Sequence, residues 1–402
     1  MESIDRQVAI LTQGSEFGDP QLKEQMIKEL RQRLIEAQKE GRPLRVYCGY
    51  DVTAPDLHLG HTITIRKLRQ FQDFGHEVTF LIGTFTTLIG DPSDRDESRA
   101  AALEDIVKKN AKTYSDQAFK ILDRSKTKIQ YNYDWLSKLT FKDVINMASC
   151  FTVQQFMVRD KIRERLDKKD PIWLREFLYP LAQGYDAVNL KCDVQMGATE
   201  QIFNLMAGRK LQEFYGQKPL IALTFPVLPG TDGVNRMSKS RGNYIGIAEA
   251  PENIYGKTMS IPDNIMYQYF ELVTDTSLED LAQIKKQIDN GDNPMAVKKR
   301  LARMLVTQFY NEKDAMEAET NFEKTVQNKE LPEDIQEFSI KPETTISQLM
   351  VEAKLTASRS EAVRMIKQGG VTIDGTKVDD FNTPVKKGVT IKVGKRRYIK
   401  TV

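Results

Sequence analysis

Arg45-Val-Tyr-Cys-Gly-Tyr-Asp51, followed by His58-Leu-Gly-His61 and then by Glu77-Val-Thr-Phe-Leu-Ile-Gly83, is the stretch that decides the fold. Residues 45–49 read as a buried strand, Leu59 to Phe74 has helical spacing, and residues 77–83 read as a second strand ending in glycine. Strand, helix and strand within about 40 residues form a βαβ unit and call for a parallel sheet. Ligands bind such sheets beyond the carboxyl ends of the strands, which is where His58 and His61 fall. Two imidazoles at i and i+3 share a face at a helix start, with the helix dipole behind them, and the intervening Gly60 permits a close approach to the backbone. The unit has no G-x-G-x-x-G text, which argues against ordinary dinucleotide binding. Gly256-Lys-Thr258 is not a P-loop either, because Pro251 stands where the first glycine belongs.

On the N-terminal side, Leu22, Met26, Leu30 and Leu34 mark an amphipathic helix from Gln21 to Lys39, stopped at Gly41. On the C-terminal side, helical patterns dominate from Thr140 to Leu223, with strand-like Val188–Val194 and Leu220–Leu223 returning to the sheet. Residues 261 to about 330 read as helices bounded by Pro262 and Pro294. The acidic run Glu330-Leu-Pro-Glu-Asp-Ile-Gln-Glu reads as a linker. Beyond it, Leu355 to Gly375 predicts a helix with Arg359, Arg364 and Lys367 on its polar side, then a glycine stop and a β-hairpin.

At 402 residues two or three domains are expected. The net charge of +3 is unevenly spread: from Lys341 onward 13 Lys or Arg face 6 Asp or Glu, against 46 and 50 in the rest. A basic tail on a near-neutral body suits a polyanion such as RNA. Cys48, Cys150 and Cys192 are odd in number and widely spaced, which suggests neither a disulfide framework nor a zinc site. No apolar run approaches the roughly 18 residues of a membrane span, and Met1-Glu-Ser-Ile-Asp is no signal segment, so a cytoplasmic location is expected.

Two further texts carry chemistry. Arg236-Met-Ser-Lys-Ser240 is a short polar loop with two cations, suited to closing over anionic oxygens. Tyr179-Pro-Leu-Ala-Gln183-Gly-Tyr-Asp186 places a phenol, an amide and a carboxylate on one helix face. A buried Asp at that position is well matched to the hydroxyl of a phenolic substrate.

With these motifs in this order, the chain resembles the class I aminoacyl-tRNA synthetases and, over essentially its whole length, the bacterial tyrosyl-tRNA synthetases with a C-terminal S4 domain. The resemblance implies an α/β chain: a Rossmann-like parallel-sheet catalytic domain over 1–225, the signature loop and an α-helical anticodon-region domain over 226–330, a linker over 331–342, and a small α+β S4-like domain over 343–402. It implies tyrosine-tRNA ligase activity in two steps, from L-tyrosine and ATP to tyrosyl-adenylate and pyrophosphate, then to the 3′-terminal adenosine of tRNA(Tyr). It also implies a homodimer, and Mg²⁺ arriving with ATP rather than in a protein cage.

Residue by residue, the resemblance assigns the phenolic hydroxyl of the substrate to Tyr47 and Asp186, and its ammonium group to Asp91, Tyr179 and Gln183. Gly49, Asp51, Thr53, Gly60, Ala198, Glu200 and Met237 fall to ATP or the adenylate, whose wall is lined by Gln195 and by Gln201, the latter shared with tyrosine. His58, His61, Arg236 and Lys239 would meet the departing pyrophosphate, joined by Arg95 and Arg99 of Gly90-Asp-Pro-Ser-Asp-Arg95-Asp-Glu-Ser-Arg99, which is similar to the family's mobile loop. Arg359, Arg364 and Lys367 would contact RNA.

The departures from the family pattern gather around the nucleotide: Ala198 and Glu200 in Gly197-Ala-Thr-Glu-Gln201 replace Gly and Asp, Arg236 replaces Lys, Val52 replaces Pro, and Asp94 replaces Gly. Glu200 is longer than Asp by a methylene, so its carboxylate must swing away or the ribose must shift. A variant with a reshaped ribose pocket is one reading, and neutral drift another. A non-catalytic RNA-binding protein would keep the tail and lose the pocket residues, and an enzyme making tyrosyl-adenylate for another acceptor would not need the tail. The full motif set counts against both.

Overall fold

The computed structural model describes residues 2–91, 104–324, 335–340, 344–356, 358–394 and 397–402. Arg95 and Arg99, with Asp94, lie outside them. Five parallel strands form the first sheet: β1 Arg45–Tyr50, β2 Glu77–Ile82, β3 Thr127–Tyr131, β4 Val194–Ala198 and β5 Ile221–Phe225, in the order β3-β2-β1-β4-β5. The order reverses between β1 and β4, so the crevice of this α/β sheet opens at their carboxyl ends. Strands β2 and β5 are apolar and almost wholly buried, as strands covered on both faces must be.

The expected βαβ unit is present, with the helix Leu59–Asp73 between β1 and β2. The N-terminal helix is Pro20–Glu40, capped by Asp19 and closed by Gly41 in the left-handed conformation.

One expectation fails at Val188–Val194. The helix Leu174–Leu190 runs through Val188 and ends on Lys191 at φ 46, so the returning strand begins only at Val194. Val188 is apolar because it covers the buried helix face. The true strand, Val194-Gln-Met-Gly-Ala198, hides behind Gln195 and Gly197, which break its apolar run. Strand β3 escapes sequence reading because it is the half-buried sheet edge, where Thr127-Lys-Ile-Gln-Tyr131 needs little apolar character.

Asp193, just before β4, ties the amino ends of the strands to the N-terminal helix. Its carboxylate accepts from Arg33 Nη1 at 3.1 Å, Arg42 Nη1 at 2.9 Å and the Arg45 backbone N–H at 2.9 Å. Burial alone would raise its pKa; those bonds hold it below the ordinary carboxylate value.

Helices Pro251–Met259, Met266–Val273, Leu278–Asp289, Pro294–Phe309 and Glu312–Phe322 make up the helical stretch. Gly256-Lys-Thr258 lies inside the first of them, with Gly256 and Thr258 buried, so it is no phosphate loop. Pro294 opens its helix behind an Asn293 cap, where a missing N–H costs nothing.

The chain divides into two compact units, Met1–Ala318 and Glu319–Val402. In the second, helices Ile346–Glu352 and Arg359–Lys367 pack with a sheet of β6 Glu337–Phe338, β7 Val371–Ile373, β8 Thr376–Lys377, β9 Thr390–Val393 and β10 Arg397–Thr401, ordered β6-β10-β9-β7-β8. Its core includes Ile346, Leu349, Ile366, Ile391 and Ile399. The stretch 331–342, read as a linker, thus supplies strand β6.

Candidate active site

His58 is the N-cap of Leu59–Asp73. Its Nδ1 accepts the Gly60 N–H at 3.1 Å, and the Nδ1 of His61 accepts the His58 N–H at 3.2 Å. With both Nδ1 atoms engaged as acceptors, a neutral imidazole must carry its proton on Nε2, so each ring offers one outward donor. Burial is the main cause of a strong downward shift in the pKa of His58, followed by His61, Lys239 and Arg236. His61 is lowered to about 4 by burial and then Lys239. Both rings are therefore neutral near pH 7. Gly60 is needed for a reason the sequence did not suggest: a Cβ there would lie 2.9 Å from His58 Cε1, so the close approach it permits is that of the capping ring itself.

The cationic loop is fastened beside this helix start. Leu59 N–H donates to Ile245 at 3.0 Å and Ile247 N–H to Leu57 at 3.2 Å, which sets the segment after the loop against the histidine turn. Asn243, buried, accepts from Ser238 N–H at 2.9 Å and donates to the Arg236 carbonyl at 3.0 Å and to Asp232 at 3.0 Å. Met237 is buried, and its N–H donates to Leu228 at 2.8 Å. Lys239 Nζ reaches the Asp56 carbonyl at 2.5 Å, and Arg236 Nη1 reaches Glu200 Oε2 at 3.1 Å. The carboxylate of Glu200 has swung onto the first loop cation.

The second part of the site is a narrow cleft lined by Tyr47, Gly49, Asp51, Tyr179, Gln183, Asp186 and Gln201 among others. Asp186 is buried at its end, with Oδ1 accepting from Trp135 Nε1 at 2.8 Å and Oδ2 from Asn132 Nδ2 at 3.1 Å. Burial pushes its carboxyl up to about 8 against those two bonds, with Asp51 adding to the rise. The buried hydroxyl of Tyr47 has no partner among the described residues, and neither does Gln183 Oε1. Burial first, then Cys192 and Asp186, keep Tyr47 protonated. An unsatisfied buried hydroxyl costs about 1–3 kcal/mol, so a ligand bearing a matching polar group is favoured here.

A run of polar contacts crosses this cleft. Asn132 Nδ2 donates to Thr86 Oγ1 at 3.0 Å, and Thr86 Oγ1 to Asp51 Oδ1 at 2.7 Å. Asp51 Oδ2 accepts from Tyr179 at 3.0 Å. A Cβ on Gly83 would stand 2.2 Å from Asp51 Oδ1, which explains the glycine ending the second strand. Tyr114, whose pKa is raised by burial and then by Asp51 and Asp56, lies 6.1 Å from the His61 ring.

The expected residues fall into two groups, the histidine turn with the cationic loop and the cleft around Asp186. Asp51, expected at the adenylate, lines the same cleft as Asp186 and holds Tyr179. Asp91 is buried and accepts from Gln201 Nε2 at 3.0 Å. Gln195, expected on the adenylate wall, is fully buried mid-strand, in register with Tyr47, and neither its Nε2 nor its Oε1 has a hydrogen-bond partner among the described residues. Thr53 is exposed on the turn after β1, and Ala198 ends β4 with its N–H on Gln201 Oε1 at 3.1 Å. Arg359, Arg364 and Lys367 are exposed on their helix in the second unit. Asn132, Trp135, Thr86 and Asn243 were missed; recognising β3 would have pointed to the first two, which follow its carboxyl end. Among the described residues no group of three His, Cys, Asp or Glu side chains could hold a metal ion.

The carboxyl of Asp186 gives a pH dependence with a defined sign. Between its unfolded value of 3.8 and about 8, the native state keeps a proton that the unfolded chain has lost, so this residue makes stability fall as pH rises across that window. Urea unfolding of the wild type and Asp186→Asn between about pH 5 and about pH 9 should show the wild type losing several kcal/mol relative to the variant. A constant difference would contradict the shift.

Residues 38–327 match the family model described as tRNA synthetases class I (W and Y), and residues 346–391 match the S4 domain. A tyrosine-tRNA ligase of Carboxydothermus hydrogenoformans is 44% identical over 412 residues, covering 100% of this chain and 99% of its own. One from Mannheimia succiniciproducens is 47% identical over 366 residues, covering 91% and 93%. Among solved structures, the tyrosyl-tRNA synthetase of Archaeoglobus fulgidus complexed with L-tyrosine aligns at 21% identity and TM-score 0.62 over 79% of this chain and 99% of that one, a likeness of fold. The histidine turn, the cationic loop, the Tyr179–Asp186 helix face and this near full-length identity agree, and the chain belongs to the bacterial tyrosine-tRNA ligases, class I synthetases with a C-terminal S4 domain.

Proposed function

We propose that the chain activates L-tyrosine with ATP, releasing pyrophosphate, and transfers the tyrosyl group to the 3′-terminal adenosine of tRNA(Tyr). The observation that carries this reading is the buried Asp186, fixed by Asn132 and Trp135, together with the unpartnered hydroxyl of Tyr47 in one cleft. Tyr179, Gln183 and Asp91 are suited to the ammonium group. The substrate carboxylate then attacks the α-phosphate, a step that asks little acid-base chemistry of the protein and much alignment and charge stabilisation. The Nε2–H groups of His58 and His61 supply neutral donors, and Lys239 and Arg236, joined by Arg95 and Arg99, supply positive charge to the departing pyrophosphate. Mg²⁺ enters with the triphosphate as part of the substrate. Residues 226–330 and the basic unit beyond the linker, through Arg359, Arg364 and Lys367, hold the tRNA in the cytoplasm.

The active form in this reading is a homodimer. Helices between Tyr133 and Leu178 leave Phe141 and Leu174 80% exposed and Val153 67% exposed, a concentration of apolar surface that suits a second copy. The pair Phe141→Glu and Leu174→Glu should therefore sediment as a monomer where the wild type sediments as a dimer. A monomeric wild type would contradict the assembly.

Function is tested by tyrosine-dependent pyrophosphate exchange followed by tRNA charging. Both should occur. Absence of exchange would leave an RNA-binding protein, and exchange without charging would leave an adenylate-forming enzyme with another acceptor.

A further inference from the structure

Both cations of the 236–240 loop contact acidic residues: Arg236 the Glu200 carboxylate at 3.1 Å, and Lys239 the Asp56 backbone carbonyl at 2.5 Å with the Asp56 carboxylate at 3.6 Å. Arg236 is held by Glu200, in the turn Thr199–Gln201 that follows β4, and Lys239 by Asp56, in the segment between β1 and the histidine turn. The base of the loop is fixed by Asn243 and by the Met237 backbone, whereas the Glu200 and Arg236 side chains are 35% and 32% exposed and so able to exchange partners. Arg236 also feels Asp91, the acceptor of the neighbouring Gln201. Its guanidinium therefore stands, partly desolvated, beside the Glu200 carboxylate and within the field of Asp91, with the cation Arg241 opposing them, before any phosphate arrives.

We propose that Glu200 is a positioning residue that competes with the triphosphate for Arg236, so that the Glu200–Arg236 pair restrains nucleotide binding until phosphate oxygens displace the carboxylate. This rests on the proposed ATP site. The chemistry favours competition because a carboxylate and a phosphate seek the same guanidinium edge, and a negative charge beside Arg236 also repels the incoming triphosphate directly. The side chain of Glu200 has the reach for the pair. Because the pair is partly exposed, its strength lies in the range of about 0.2–1 kcal/mol, which corresponds to roughly 1.5- to 5-fold in affinity.

The test is steady-state pyrophosphate exchange on the full-length chain carrying Glu200→Gln, Arg236→Gln or both, with KM for ATP, KM for tyrosine and kcat read separately. Glu200→Gln should lower KM for ATP by about two- to fivefold while leaving KM for tyrosine unchanged. In the Arg236→Gln background the same substitution should change KM for ATP by less than about half that factor, since the contact between these two side chains is already gone. A rise in KM for ATP on Glu200→Gln would overturn the proposal, because Glu200 would then be a direct nucleotide ligand. An equal effect with and without Arg236 would overturn it as well. Failure of the wild type to exchange pyrophosphate at all would instead remove the ATP reading beneath it.

Discussion

Asp186→Asn should collapse the preference for tyrosine over phenylalanine while leaving the chain folded. Each carboxylate oxygen of Asp186 has one assigned donor, Trp135 Nε1 on Oδ1 and Asn132 Nδ2 on Oδ2. An amide has a single acceptor oxygen, so one of those donors would face an NH₂ group and the pocket would lose its orientation. Tyrosine-tRNA ligases as a class reject phenylalanine by a ratio near ~10⁵, because a site built to bind a hydroxyl leaves buried polar groups unpaired when it is missing. The proposed reading gives that part to Asp186 and the Tyr47 hydroxyl, which line one cleft. Leaving a buried polar group without its partner costs up to about 3 kcal/mol, so the variant should lose roughly a hundredfold in discrimination, read as the ratio of kcat/KM for the two amino acids in pyrophosphate exchange. A ratio within about threefold of the wild type would place substrate recognition elsewhere.

Lys239→Ala and His61→Ala should act on a different parameter. Their groups meet charge that grows only as pyrophosphate departs, so each should lower kcat by about 10²–10³ with KM for tyrosine nearly unchanged. His61→Ala also removes the acceptor of the His58 N–H. His61→Asn, which can retain that backbone bond, separates the cap from the chemistry: it should recover stability but not turnover. The neutral state of the imidazoles sharpens this expectation, because burial and the nearby cations keep them uncharged near pH 7. In the proposed mechanism they would stabilise the developing anion through Nε2–H dipoles, while Lys239, which here donates to the Asp56 carbonyl, would bring the full charge. Losses of equal size in kcat and in tyrosine affinity would contradict the division of labour.

Much of this site is legible in the sequence because its chemistry is carried by residue types at helical spacing. His58 and His61, and Tyr179, Gln183 and Asp186, each follow from i, i+3 and i, i+4 geometry once the helix is placed. The supporting polar residues follow no such period. Asn132 and Trp135 come after β3, an edge strand too polar to be recognised, and Asn243 works through bonds to the backbone of its own loop. Glu200 and Arg236 are 36 positions apart, and their pairing depends on how β4 and the loop meet in space. Phe141, Ile145, Val153, Val158, Trp173 and Leu174 mislead in the opposite direction, since among buried neighbours such as Met147 and Phe156 they resemble core and only solvent exposure reveals them as surface. Gly60 shows the same limit at a smaller scale: the sequence says that something approaches the backbone, and the structure shows that it is the His58 ring.

The central claim is that a phenol-binding carboxyl group and a set of phosphate-directed imidazole and ammonium groups serve one bound intermediate. A crystal structure of the full chain with a non-hydrolysable tyrosyl-adenylate analogue tests it most directly. The account predicts the phenolic oxygen within hydrogen-bond distance of both Asp186 and Tyr47, and the phosphate-mimicking group facing Nε2 of His58 or His61. An analogue seated with its ring away from Asp186, or with its phosphate mimic out of reach of both histidines and of Lys239, would contradict it.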